Sequence, residues 1–105
     1  MVKMVILLVS DESLSHDEFV SRLREEHVPL AEELPGLVEY RTSVPLDPDR
    51  SSYDGISELY FEEGTQIGEA FGSAVGERVQ EDAAKFMQVE KNETLILDEE
   101  VHVEQ

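Results

Sequence analysis

The chain has 105 residues, with 25 Asp plus Glu against 8 Lys plus Arg, a formal net charge of −17 at pH 7, and no cysteine. Two cores would each be too small to bury enough apolar surface, so one domain spanning 1–105 is expected, and 40% hydrophobic residues supply its core. The charge excludes nucleic acid and anionic membrane as partners, since both require clustered Lys and Arg, and the missing thiols exclude disulfides, thiolate metal sites and cysteine nucleophiles.

From the N-terminus, Val2 to Val9 is aliphatic on both alternating faces except at Lys3, the pattern of a central strand covered on both sides. The apolar run Met4 to Val9 is too short to span a bilayer or form a signal core, so a cytoplasmic location is expected. Ser15-His16-Asp17-Glu18 reads as a capping box that opens a helix. Along it Val20, Leu23, His27, Leu30 or Ala31, and Leu34 recur at spacings of three and four, which places them on one stripe. Pro29 removes a backbone donor and should bend the helix or open its last turn, and Pro35-Gly36 ends it.

Leu37 to Val44 alternates as a second strand, and Pro45 to Asp54 is a loop long enough to reach over a neighbouring surface. Gly55 to Glu62 is a third strand, with Leu59 and Phe61 on one face and Ile56, Glu58 and Tyr60 on the other. A second helical region starts near Thr65, is interrupted at Gly72-Ser73, and resumes with a stripe of Val75, Val79, Asp82 or Ala83, and Phe86. Glycines at 64, 68, 72 and 76 are expected to loosen it. Thr94 to Leu97 and Val101 to Val103 give a final strand and an acidic end.

The order β-α-β-β-α-β in one short domain defines an α+β, ferredoxin-like arrangement: a four-stranded antiparallel sheet with both helices on one face. The other face is left bare, and two such faces can close on each other across a two-fold axis, so a homodimer is expected.

His27 is the first candidate for chemistry, as general acid, general base or ligand-orienting group, because it lies on the buried stripe between Leu23 and Leu30; the alternative is a packed, hydrogen-bonded histidine. Asp82 is the second, since a carboxylate on an apolar stripe needs a partner; it is alternatively a structural hydrogen-bond acceptor. Glu58, Tyr60 and Tyr40 are candidate pocket residues, with Glu58 placed where desolvation raises a carboxylate's proton affinity, or else they are rim packing. His16 and His102 are expected at the surface. Paired acids such as Glu25-Glu26 and Glu62-Glu63 read as solvated faces. With no phosphate loop, nucleophile elbow, HExxH or EF-hand pattern, no metal and no cofactor is expected.

His27-Val28-Pro29-Leu30, Leu34-Pro35-Gly36-Leu37 and Tyr40 resemble the helix-one signature of the EthD-like family. Asp54 to Phe61 is similar to its third strand, and Gly76, Val79, Asp82 and Phe86 to its second helix, so the likeness covers most of residues 2–90. It departs at Ala74-Val75, where relatives often carry Pro and Glu. The resemblance implies a dimeric α+β barrel and singles out His27, Asp82 and Phe86. The expected function is binding of a small hydrophobic or aromatic molecule, with proton transfer, oxygenation or simple carriage as the candidate activities. Alternatives are a non-catalytic dimeric stress or scaffold module and a haem-binding, monooxygenase-like protein. Acids spread along the whole chain, against lysines only at 3, 85 and 91, also point to a halophilic source.

Overall fold

The computed structural model describes residues 1–105. Strands β1 (Val2–Leu8), β2 (Glu39–Ser43), β3 (Gly55–Phe61) and β4 (Glu93–Asp98) form one antiparallel sheet in the order β2-β3-β1-β4. Helices α1 (His16–Arg22), α2 (Val28–Ala31), α3 (Thr65–Phe71) and α4 (Ala74–Phe86) complete the ferredoxin-like order. The two-residue alternation of a strand sends Met4, Ile6 and Leu8 of β1 and Leu59 and Phe61 of β3 toward the helices, where they join two contiguous apolar clusters. Lys3, Val5, Leu7, Ile56, Glu58 and Tyr60 take the opposite face, which no helix covers. β1 is therefore central but covered by its own chain on one side only.

The first helix opens on the expected capping box: the Glu18 amide donates to the Ser15 hydroxyl at 3.1 Å, and the Ser15 amide to the Glu18 carboxylate at 2.9 Å. Between α1 and α2 lies a π turn, Leu23–His27, in which the Val28 amide reaches back to the Leu23 carbonyl. Pro29, the second residue of α2, has no amide to give, which removes one of the bonds an unbroken α-helix would need here. An α-helix drifts by about 40° over each four-residue step; the widened turn absorbs part of that drift. Phe19, Leu23, His27 and Ala31 consequently stay on one buried line. The sequence stripe began at Val20, which is half-exposed; Phe19, with no exposed surface, takes its place.

Pro35-Gly36 turns the chain, and Gly36 has φ +80°, a conformation that favours glycine. Gly76 has a different role from the expected loosening. A Cβ there would lie 2.4 Å from the Ala70 carbonyl oxygen, so glycine is what lets α3 and α4 approach. The end of α4 is tied to the end of β1 by Asp11 N–H to the Phe86 carbonyl at 2.9 Å and Gln88 N–H to the Val9 carbonyl at 2.8 Å.

β2 is shorter than its sequence pattern, and residues 101–103 form no strand. The chain beyond β4 instead bends over the bare face, where Glu99 accepts from Lys3 at 2.7 Å and from the Tyr60 hydroxyl at 3.1 Å. β4 is exposed along its length, including Leu95 (44%) and Leu97 (37%) on the bare face.

Candidate functional site

Three side chains from two helices meet where α4 crosses the π turn. His27 Nδ1 lies 2.8 Å from Asp82 Oδ2. Arg22 clamps the same carboxylate with two bonds, Nη1 to Oδ2 at 3.0 Å and Nη2 to Oδ1 at 2.6 Å. The guanidinium also lies over the Phe86 ring at 4.4 Å, and the His27 ring meets that ring edge-on at 5.3 Å. Arg22 holds the Asp82 carboxyl down to about 2; burial opposes this and the His27 contact reinforces it. Asp82 in turn holds the guanidinium protonated.

A carboxylate so held only accepts hydrogen bonds, so Nδ1 of a neutral His27 carries the proton and Nε2 carries the lone pair. Nε2 has no hydrogen-bond partner in the chain, while the residue is only 6% exposed. His27 lines a partly open cavity of about 90 Å³ between helices and sheet. Its walls are mostly apolar, with Ile6, Leu8, Leu59 and Val79 prominent, and a few polar groups converge on it, among them His27, Tyr40 and Ser57. Burial pushes the Tyr40 phenol above its ordinary value, the nearby Ser57 hydroxyl pulling weakly the other way, so Tyr40 is a hydrogen-bond donor at neutral pH.

The structure thus brings His27, Asp82, Tyr40 and Phe86 together but separates them from the other two residues singled out in the sequence. Glu58 and Tyr60 lie on the bare face, with the sheet between them and His27. The expected grouping of Glu58 and Tyr60 with Tyr40 as pocket residues is therefore corrected: Tyr40 lies on the helix-covered face, and Glu58 and Tyr60 on the bare one. Glu58 does not stand alone there, since Lys3 Nζ bonds it at 2.8 Å. Tyr60 is buried beneath Lys3, Arg41 and Glu99, which raises its phenol pKa chiefly through burial and then through its bond to Glu99. His102 is exposed; His16 is half-buried, not fully at the surface, and its Nδ1 is shut from solvent without a partner.

Arg22 and Ser57 escaped the sequence reading. A signal for Arg22 was present: it is one of few cations, beside a buried stripe that had to face a helix bearing an inward Asp. Nothing marked Ser57, which becomes visible only once β3 is registered against β1 and β2. No group of three His, Asp or Glu side chains is placed to hold a metal ion, and no helix is long and apolar enough to cross a membrane.

The chain is a small α+β protein with a ferredoxin-like sheet and a histidine–carboxylate pair beside a mostly apolar cavity. Residues 11–90 match the EthD domain family, and the chain belongs to it. An uncharacterized 11.0 kDa protein in the thcB-thcC intergenic region of Rhodococcus erythropolis is 30% identical over 70 residues, 65% of this chain and 68% of that one. The crystal structure of an ethyl tert-butyl ether D (EthD) family protein from Bacillus halodurans superposes with a TM-score of 0.81 at 24% identity, covering 95% of this chain and 99% of the other. A dimeric ferredoxin-like protein of unknown function from Thermobifida fusca gives a TM-score of 0.73 at 11% identity over 91% and 88% of the two chains. SnoaB of Streptomyces nogalater, a cofactor-independent oxygenase, gives 0.72 at 10% identity over 99% and 97%. At these identities the structural likenesses speak to the fold alone.

Proposed function

We propose that this EthD-family protein binds a small apolar molecule in the His27 cavity and moves a proton on it without a cofactor. The observation that carries this reading is the unbonded Nε2 of His27, a residue lining a mostly apolar chamber, with the other ring nitrogen fixed by an ionised Asp82. A neutral imidazole so oriented is a general base. On a carbon acid next to a carbonyl, the proton passes from carbon to Nε2, the C–H pair becomes the carbon–carbon double bond of an enolate, and the carbonyl π pair moves onto oxygen. Tyr40 donates a hydrogen bond to that oxygen, and the imidazolium returns the proton to carbon, leaving no oxidant or reductant to account for. Oxygenation, with dioxygen as the co-reactant attacking the resulting carbanion, would begin with the same step.

Native mass spectrometry of gently purified protein should find a small apolar molecule retained in the chain. Ala83→Met, which lengthens a wall of the cavity, should reduce its occupancy at least several-fold. Unchanged retention in that variant counts against the reading.

The Arg22–Asp82–His27 bonds also favour a second reading, a helix-to-helix clamp in a non-catalytic scaffold. A haem-binding role finds less support, since a porphyrin is far larger than a chamber of about 90 Å³.

The protein acts, on this proposal, as a homodimer in the cytoplasm. Leu95, Leu97 and the half-buried Val5 and Leu7 leave apolar surface on the bare face that a second copy would cover. Light scattering at micromolar protein in molar KCl should give twice the 11.9 kDa chain mass; a monomer mass would overturn the pairing.

We also attribute the charge of −17 to adaptation to high salt. Two like charges 10 Å apart in water repel by roughly 0.4 kcal/mol unscreened, about a third of which survives at 0.1 M salt and almost none above 1 M. With a few such neighbours for each uncompensated charge, and some repulsion persisting in the unfolded chain, stability should rise by roughly 2 kcal/mol. The melting temperature should then climb by about 10 °C between 0.1 M and 2 M KCl. A flat or falling profile counts against salt adaptation.

A further inference from the structure

The His27 chamber does not end at its own walls. A second depression of about 370 Å³ runs between β1, the start of β4 and α3, and it shares Ile6, Phe71, Gln80 and Asn92 with the chamber. Its lining adds Met4, Ile67 and Val89, so a mostly apolar trough open to solvent abuts the chamber that His27, Tyr40 and Ser57 line. A chamber of about 90 Å³ is smaller than the 150 Å³ cavity that admits benzene. It therefore suits the head of a molecule more than the whole of one.

We infer that the substrate is an elongated, neutral molecule: a carbonyl-bearing head enters the chamber, and a flexible alkyl tail lies in the trough over Gly68. The inference rests on the functional reading above and names its substrate class. The four walls that the two depressions share supply the geometry. The chamber selects the head group: no Lys or Arg lines it, so a carboxylate or phosphate would enter without a counter-charge, and of the neutral heads a ketone, aldehyde or enone is what the proton step needs.

Gly68 makes the idea testable. It lies in the middle of α3, lines the trough, and has no atom within 4 Å of where a Cβ would stand. A Cβ there meets no atom, so a larger residue starts in open space at the trough and improves helix propensity, and the fold is expected to be retained. The experiment titrates amide resonances of the intact chain with two probes, 2-pentanone and 2-undecanone, in wild type, Gly68→Ala and Gly68→Leu. Six additional methylenes should make 2-undecanone bind at least about tenfold tighter than 2-pentanone in the wild type. Gly68→Leu should abolish that advantage, Gly68→Ala should reduce it, and both should leave 2-pentanone and its shifts around His27 unchanged.

Equal affinity of the two ketones in the wild type, or a 2-undecanone advantage that survives in Gly68→Leu, overturns the inference while leaving the chamber intact. If neither ketone perturbs the His27 and Tyr40 resonances, the chamber reading fails and takes the tail with it. If Gly68→Leu instead changes the mass measured by light scattering, the trough is a contact between copies and the inference is wrong. Decanoate binding as tightly as 2-undecanone would remove the charge argument and with it the neutral class.

Discussion

Asp82→Ala is expected to lower stability by about 3 kcal/mol, the largest loss among substitutions at the site. The carboxylate takes two bonds from Arg22 and one from His27, and the side chains of these partners are only 20% and 7% exposed. Removing it leaves a largely buried guanidinium with only the more exposed Glu26, 3.5 Å from Nε, as counter-charge, and an imidazole nitrogen with no acceptor. For a chain of this size the melting temperature should fall by about 12–20 °C, read in molar salt so that general charge repulsion does not obscure the effect. A loss below about 1 kcal/mol would show that the three-way contact contributes little.

The same carboxylate dictates how that stability responds to acid. Asp82 titrates near 2 in the folded chain against an ordinary 3.8, so its folded value is depressed. A depressed acid contributes stability that is fully present above its unfolded value and is lost as pH falls through its folded value. Solvent reaches the carboxylate in part, so the contribution is discounted to about 1–2 kcal/mol. Urea denaturation should therefore show the gap between wild type and Asp82→Asn shrinking by that amount from about pH 5 to about pH 2. A gap that stays constant would mean the ion pair is not what separates the two proteins.

His27→Gln carries the second large effect, and it falls on chemistry. Glutamine keeps an amide N–H that can reach Asp82 and roughly preserves the shape beside Phe86, but it has no lone pair able to take a proton. With a β,γ-unsaturated alkyl ketone as probe, the wild type should form the conjugated enone, with deuterium entering from D2O. The variant should be slower by about 10²–10⁴-fold, the usual worth of a positioned general base, with a stability change below about 1 kcal/mol. The clamp reading expects the reverse: a substantial loss of stability, and no rate to lose. Measuring both quantities on one variant separates the two.

Much of the fold was legible because its cues are local. Ser15 and Glu18 satisfy each other's amides within one turn, Pro29 cannot donate wherever the helix goes, and strand alternation fixes which residues of β3 share a face. The boundaries that slipped depended on neighbours absent from the sequence. Val101 and Val103 are suitable strand residues but find no ladder to join, and β2 pairs with β3 over Glu39–Ser43 only. Gly76 resembled its fellow glycines in the sequence, yet it alone faces the Ala70 carbonyl at a distance that excludes a side chain.

For the site, the sequence by itself determined that a histidine and an aspartate would lie on the inward stripes of two helices, because a period of 3.6 residues decides which positions face the core. Only the tertiary structure decided which groups meet. The crossing of α4 over the π turn brings Arg22 onto Asp82, and the sheet divides Tyr40 from Glu58 and Tyr60 although all three lie on adjacent paired strands. The reason is physical: periodicity assigns a side chain to a face, whereas the partner across that face is set by packing between segments up to sixty residues apart.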